Sequence, residues 1–158
     1  MGGETHMRRG EMEITDRAEI DRIIDTAQVL RLGLIDGTRP YVVPVNFARD
    51  GDHLWIHSSP VGLKIDCIRR NPSVCAEVDR FGGIISGAGA CEDWASRYES
   101  VIGFGEAEIV DDPTDKERGL QALMRKYSGR DDWEFSQMET TAVIRVRLES
   151  LTGKHYPV

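Results

Sequence analysis

An α+β domain built on a closed or nearly closed antiparallel β-barrel is what this 158-residue sequence predicts, on three observations. Apolar residues alternate with period two in about six short runs, the first of them joined by Asp-Gly turns, which is hairpin chemistry. Helix-period patterns occur only near the start, after the third strand run and before the last, so helices flank the sheet instead of alternating with parallel strands. No internal repeat and no second unit interrupts the chain, whose length suffices to bury about two-thirds of its unfolded surface in one domain.

The polar, glycine-rich residues 1–13 read as a disordered leader and 14–158 as the folded domain. Thr15 and Asp16 can cap a helix whose Ile20, Ile23, Ile24 and Ala27 fall at i, i+3, i+4 and i+7. Leu30, Leu32 and Leu34 then alternate with Arg31 and Gly33, and Asp36-Gly37 turns the chain into Tyr41, Val43, Val45 and Phe47 on one face of a second strand. A further turn at Asp50-Gly51 leads to Leu54 and Ile56, opposite Trp55 and His57, so three strands are expected to form a meander. Ser59-Pro60 reads as an N-cap followed by proline at the first helical position; Val61, Ile65 and Ile68 share a face until Asn71-Pro72.

Val74, Ala76 and Val78 make a fourth strand, and Gly82 to Gly89 reads as a loop. A long strand is expected from Arg97 to Val110, where Gly103 and Gly105 signal a bulge or a close approach. Asp112-Pro113 opens a helix with Leu120, Leu123, Met124 and Tyr127 on one side and Gly129 at its end; Gly119 inside it costs up to ~1 kcal/mol relative to Ala. Ala142, Ile144, Val146 and Leu148 alternate with Arg145, Arg147 and Glu149 as the last strand.

Composition excludes several function classes. A net charge of −7 argues against a nucleic-acid groove, which needs clustered Lys and Arg. The three cysteines, Cys67, Cys75 and Cys91, are odd in number and lack Cys-x-x-Cys spacing, so neither a disulfide framework nor a zinc site is expected. They read as reduced thiols of a cytoplasmic protein. No apolar run approaches the ~20 residues that span a bilayer, and no signal-peptide segment is expected at the start.

Among residues able to carry chemistry, Lys64 near a helix start, with Ser58 and Ser59, can converge on a phosphate. A capped surface helix with a solvated lysine is the plainer reading of the same residues. Pro44 cannot donate to a ladder and marks an edge or bulge, while Asn46, on the same face, offers a donor and an acceptor to a heterocycle or simply begins the turn. His57 has no Cys, His or carboxylate at ligand spacing, so no metal site is expected and a structural histidine is the commoner case. Adjacent His57 and Ser58 point to opposite strand faces without a nucleophile elbow, which disfavours hydrolase chemistry. The glycines at 82, 83, 87 and 89 do not form a dinucleotide fingerprint. Trp94, Arg97, Tyr98 and Ser100 suit an interface or a core equally.

Taken in order, Arg31-Leu32-Gly33-Leu34, Pro40 to Phe47, His57-Ser58 through Gly62-x-Lys64, Arg69-Arg70-Asn71-Pro72 and Ser100 to Gly105 resemble the flavin-binding split-barrel proteins. The nearest branch is the 5-nitroimidazole-resistance group of the pyridoxamine 5′-phosphate oxidase-like superfamily, and the likeness runs from about Ile14 to Lys154. The resemblance implies a six-stranded antiparallel split barrel with flanking helices, forming a homodimer with two FMN molecules at the interface. By match to the family's motifs, Pro44, Val45 and Asn46 line the isoalloxazine, Ser58, Ser59 and Lys64, with Gly62, hold the phosphate, and His57 stands beside the flavin. Trp94 and Ser100 approach from the partner subunit. The residues Leu151 to Val158 show no arginine-rich signature of the true pyridoxamine phosphate oxidases, so vitamin B6 oxidation is not expected.

The function implied is a flavin-dependent reductase in which a nicotinamide reduces FMN and a nitro-aromatic, quinone or similar small molecule accepts the electrons. FAD, haem or a deazaflavin are alternative occupants. A non-enzymatic flavin or haem carrier or sensor, with His57 as haem ligand, is the second reading; an interaction domain without cofactor is the third. Neither nucleic acid nor membrane is an expected partner.

Overall fold

The computed structural model describes residues 9–156, and in these the chain forms three α-helices packed on one antiparallel sheet. In chain order the elements are β1 (Glu13–Ile14), α1 (Arg17–Thr26), β2 (Leu30–Asp36), β3 (Arg39–Val45), β4 (Ala48–Asp50), β5 (His53–Ser58), α2 (Leu63–Arg70), β6 (Ser73–Ile85), β7 (Ala95–Val110), α3 (Pro113–Ser128) and β8 (Ala142–Tyr156). The sheet runs β3-β2-β6-β7-β8-β5-β4, with β1 added to β8.

This order explains the curvature. β3 and β4 are the two edges of the sheet and do not pair, yet only Asn46 and Phe47 separate them in the chain. Three Cα steps reach at most ~11 Å, so the sheet has to curl until its edges meet. The result is an antiparallel barrel split along one seam, as predicted, with Pro40 and Pro44 on the edge strand where a missing N–H breaks no ladder. Two expectations change here. There are eight strands, not six, because the two-residue β1 and the three-residue β4 are separate elements. The expected meander is also replaced: β2–β3 and β4–β5 are hairpins at opposite edges, because the chain crosses the seam at Asn46–Phe47 and buries the Phe47 ring completely.

The inward residues of β2, β5, β6, β7 and β8, among them Leu32, Ile56, Val78, Val101 and Ile144, fill the barrel together with Ile20, Ile23 and Ile24 of α1 and Ile65 and Ile68 of α2. Asp16 caps α1 by accepting from the Ala18 N–H at 2.9 Å. A second cluster lies outside the barrel, where Trp55 of β5 and Val143 of β8 meet Ala122 and Leu123 of α3. β5 is therefore buried on both faces, which is why Leu54, Trp55 and Ile56 are all covered. Gly119 makes this packing possible: a Cβ there would stand 2.5 Å from Trp55 Cε3 and 2.9 Å from Val143 Cγ1. Asp112 accepts from Asp115 N–H, Pro113 opens α3 and Gly129 closes it in the left-handed region (φ 75°).

Four boundaries differ from the sequence reading. The leader expected through residue 13 falls partly on 1–8, outside the described residues, but Gly10–Met12 already forms a 3-10 turn with Met12 buried, and Glu13 pairs with Lys154. The Gly82–Gly89 loop is half strand, since β6 continues to Ile85 against β7 with a register shift between Phe81 and Gly83. β7 starts at Ala95 and carries its own shift at Phe104/Gly105, one of the two glycines read as a bulge signal. β8 continues past Glu149 to Tyr156.

Candidate functional site

The seam is where the polar groups gather. Past Val45 the chain leaves β3, so Asn46 projects outward next to Pro44 while Val45 points into the core; Val45 can offer a ligand only its backbone. Phe47 N–H, having no strand neighbour, donates to the Tyr127 hydroxyl at 3.0 Å, and that hydroxyl donates to the Gln28 carbonyl at 2.8 Å. The end of α3 therefore ties down the crossover. Lys126 lies beside it, its Nζ 3.5 Å from the centroid of the Phe47 ring and without a hydrogen-bond partner. Burial pushes its ammonium down to about 8, and distant Asp25 offsets this only in part.

On β5, His57 lies two residues beyond Trp55 on the same face, where the cover of α3 ends, so its ring is exposed. Asn46 and His57 form the polar lip of a cavity of about 340 Å³ whose walls are Leu120, Leu123 and Met124 of α3, the Tyr127 ring and Phe135. The sequence reading put Leu120, Leu123, Met124 and Tyr127 on one side of a helix, and they do share that side; Leu123 is buried, while Leu120 and Met124 are only half-buried and face the cavity. Phe135 carried no signal in the sequence because it lies in an irregular segment.

The other half of the site begins one residue further on. Ser58 pairs with Ala142 at the start of β8, and Ser59 to Gly62 lead into α2. Here the expected Ser59 cap is corrected: Ser59 Oγ accepts only a 3.4 Å bond from Val61 N–H, and α2 starts at Leu63 behind Gly62. Gly62 has φ 124° and ψ 169°, a region that is essentially glycine-only, and no side chain caps the helix. The Leu63, Lys64 and Ile65 N–H groups thus have no partner within the helix. Lys64 is half-buried beside them, forms no ion pair among the described residues, and has its ammonium pushed below the ordinary lysine range by burial alone. Arg70 at the far end of α2 is engaged with Asp36 at 3.1 Å.

The structure brings Asn46 and His57 together at one cavity, with Pro44 two residues before Asn46 on the same outward side, and Ser58, Ser59, Gly62 and Lys64 follow His57 along the chain into α2. It does not bring Trp94 and Ser100 there within one chain. Ser58 is level with Ala142, adjacent to the Val143–Val110 pair, and Ser100 lies ten residues away along β7, roughly 33 Å of strand. Trp94 precedes β7 and donates from Nε1 to the Gly89 carbonyl at 3.1 Å. Among the described residues no three His, Cys, Asp or Glu side chains gather as a metal site, and no helix is long and apolar enough to cross a membrane.

Comparison with known proteins agrees with this architecture. A family model for pyridoxamine 5′-phosphate oxidase matches residues 16–155. A candidate 5-nitroimidazole antibiotic resistance protein from Bacteroides thetaiotaomicron is 32% identical, with a TM-score of 0.80 over 91% of this chain and 86% of that one. A FAD-binding protein from Mesorhizobium loti is 25% identical, with a TM-score of 0.67 over 90% of this chain and 96% of that one. The flavocytochrome Anf3 from Azotobacter vinelandii, 20% identical, shares the fold with a TM-score of 0.83 over 97% of this chain and 73% of that one. An uncharacterized protein of Rhizobium meliloti is 31% identical over 70 residues, 44% of this chain and 46% of that one, so the match spans about half of that relative.

Proposed function

The chain belongs to the pyridoxamine 5′-phosphate oxidase family, and from that premise we propose that it binds FMN between α2 and the seam and acts as a reductase. A nicotinamide is the electron donor, and a nitro-aromatic, quinone or similar small molecule the acceptor. The observation that carries this reading is Lys64: a half-buried cation with no carboxylate partner among the described residues, beside a helix N-terminus without a side-chain cap. Such a corner suits a phosphate, because unpaired N–H groups and an ammonium both gain from a dianion. FMN, when bound, supplies the two-electron chemistry.

The chain's own residues then bind and orient. Lys64 Nζ, the α2 N–H groups and the Ser58 and Ser59 hydroxyls donate to phosphate oxygens. Asn46 meets the mixed donor and acceptor edge of the ring system, with Pro44 beside it, and the His57 ring N–H holds a proton at the cavity lip. The α3 wall excludes water. A homodimer belongs to the same proposal: Val42 and Phe104 are 60% and 48% exposed on the outer sheet face, and Phe81 and Ile84 are also exposed. Trp94 and Ser100 of the partner subunit then have a route to the site.

With FMN added, the purified protein is expected to consume reduced nicotinamide only when an acceptor is present, faster than free FMN does. A rate no better than free FMN ends the reductase reading. His57, exposed at the mouth of an apolar cavity, favours one second reading, a haem carrier or sensor; its test is the Soret band, which His57→Ala should shift if His57 is the ligand.

A further inference from the structure

The flavin reading uses the corner at α2 and the outward face of the seam, and of the cavity walled by α3 it uses the lip and the water-excluding wall but not the space inside. About 340 Å³ is at the low end of the ~300–1,000 Å³ typical of small-molecule pockets, enough for one or two rings and too small for a dinucleotide. Its walls are apolar, and Tyr127 presents only a ring, because its hydroxyl is spent on Phe47 N–H and the Gln28 carbonyl. Among the described residues, no Asp, Glu, Lys or Arg lines it. Two polar side chains face it, Asn46 and His57, both on the side where the flavin reading puts the cofactor; that reading gives Asn46 to the ring edge, so His57 is the one left to donate a hydrogen bond to a second ligand.

We propose that this cavity is the acceptor pocket and that it selects neutral, flat, apolar ring compounds of one or two rings with a carbonyl oxygen, quinones being the type. The oxygen faces His57, and Leu120, Met124 and Phe135 set the length of ring system that fits. An anionic nicotinamide dinucleotide finds neither space nor a cation there, so the electron donor uses another approach to the cofactor. The inference rests on the FMN reading for the word acceptor, but the pocket's ligand class is a property of the cavity itself.

The test measures binding, not turnover. The probe is 2,3-dimethyl-1,4-naphthoquinone, whose blocked ring positions avoid addition to cysteine; it is titrated into the full-length protein by calorimetry, alongside a separate FMN titration. Met124→Trp fills the cavity and is expected to weaken the quinone by about tenfold or more while leaving FMN affinity within a factor of about two. Met124→Ala is expected to do the reverse for ring size, admitting 9,10-anthraquinone in preference to the two-ring probe. Quinone binding unchanged in both variants overturns the pocket. Loss of FMN together with the quinone in a folded Met124→Trp protein also overturns it, because the cavity would then be the cofactor's own seat. Quinone binding that Met124→Trp abolishes in a protein that never takes FMN supports the pocket and sinks the flavin reading.

Discussion

The two helices that frame the site are built in opposite ways. α3 is 16 residues long, closed at its start by Asp112 and Pro113 and at its end by Gly129, so its ends have nothing left to offer and its side does the work, covering Trp55 and walling the cavity. α2 is eight residues long, closed by no side chain, and opens behind a glycine whose backbone no other residue adopts easily. Each helix carries a lysine whose charge burial disfavours, yet Lys126 rests on the Phe47 ring whereas Lys64 has no such partner. An unfinished helix end beside a half-buried lysine is what the flavin proposal needs, whereas a finished helix whose lysine is covered by a ring serves packing.

The largest effect that can break this contrast is at α2. Lys64→Ala should weaken FMN by about 30-fold or more, since a charge-assisted bond is worth ~2–3 kcal/mol. Fluorescence quenching of FMN measures it, and an unchanged affinity would return Lys64 to the solvated surface. In wild type, because a phosphate dianion favours the charged ammonium, affinity should be full where free Lys64 is protonated and fall as pH rises through its lowered pKa.

Next in size is Gly119→Ala, which puts a methyl group into Trp55 and should lower unfolding free energy by ~1–3 kcal/mol in a urea titration, although alanine has the better helix propensity. A stabilised variant would mean that α3 does not lie this close to β5.

The smallest effect concerns Lys126. Its folded pKa of about 8 lies below the ordinary lysine value, so the unfolded chain binds more protons between the two and stability should rise with pH across that window. Below pH 8 the whole burden of the buried charge is present. Because the side chain is only partly buried and its ammonium rests on the Phe47 ring, Lys126→Met should stabilise by only ~1 kcal/mol at pH 7 and flatten the rise above pH 8. A flat wild-type profile would show that the Phe47 ring already offsets the burial.

Where one face of an element meets the core, its sequence was readable: the isoleucines of α1, the alternation of β2 and the first half of β8, and the apolar side of α3 all fall as the periodicity predicts. It failed where the sheet runs past the barrel. Asp79, Arg80, Phe81 and Gly82 are exposed on both faces, so nothing imposes alternation past Val78 and the strand's last residues, Gly82 to Ile85, read as part of a loop; Glu149 and Ser150 fail in the same way on β8. Of the candidate site, Pro44, Asn46, His57 and Lys64 can be named from the sequence as candidates because their chemistry is local. The cavity was not, because Asn46, His57 and α3 are joined only by the fold, and the Ser59 cap failed because the Gly62 bend delays the helix by three residues.

The bond from Phe47 N–H to Tyr127 spans 80 residues of sequence, and it fastens the crossover that carries Asn46. During synthesis the β2–β3 and β4–β5 hairpins can form early from local contacts, but the crossover stays untied until α3 has left the ribosome and docked. A cofactor held at Asn46, as proposed, would therefore be retained only once Tyr127 has been made and α3 has docked, long after Asn46, His57 and Lys64 themselves have left the ribosome.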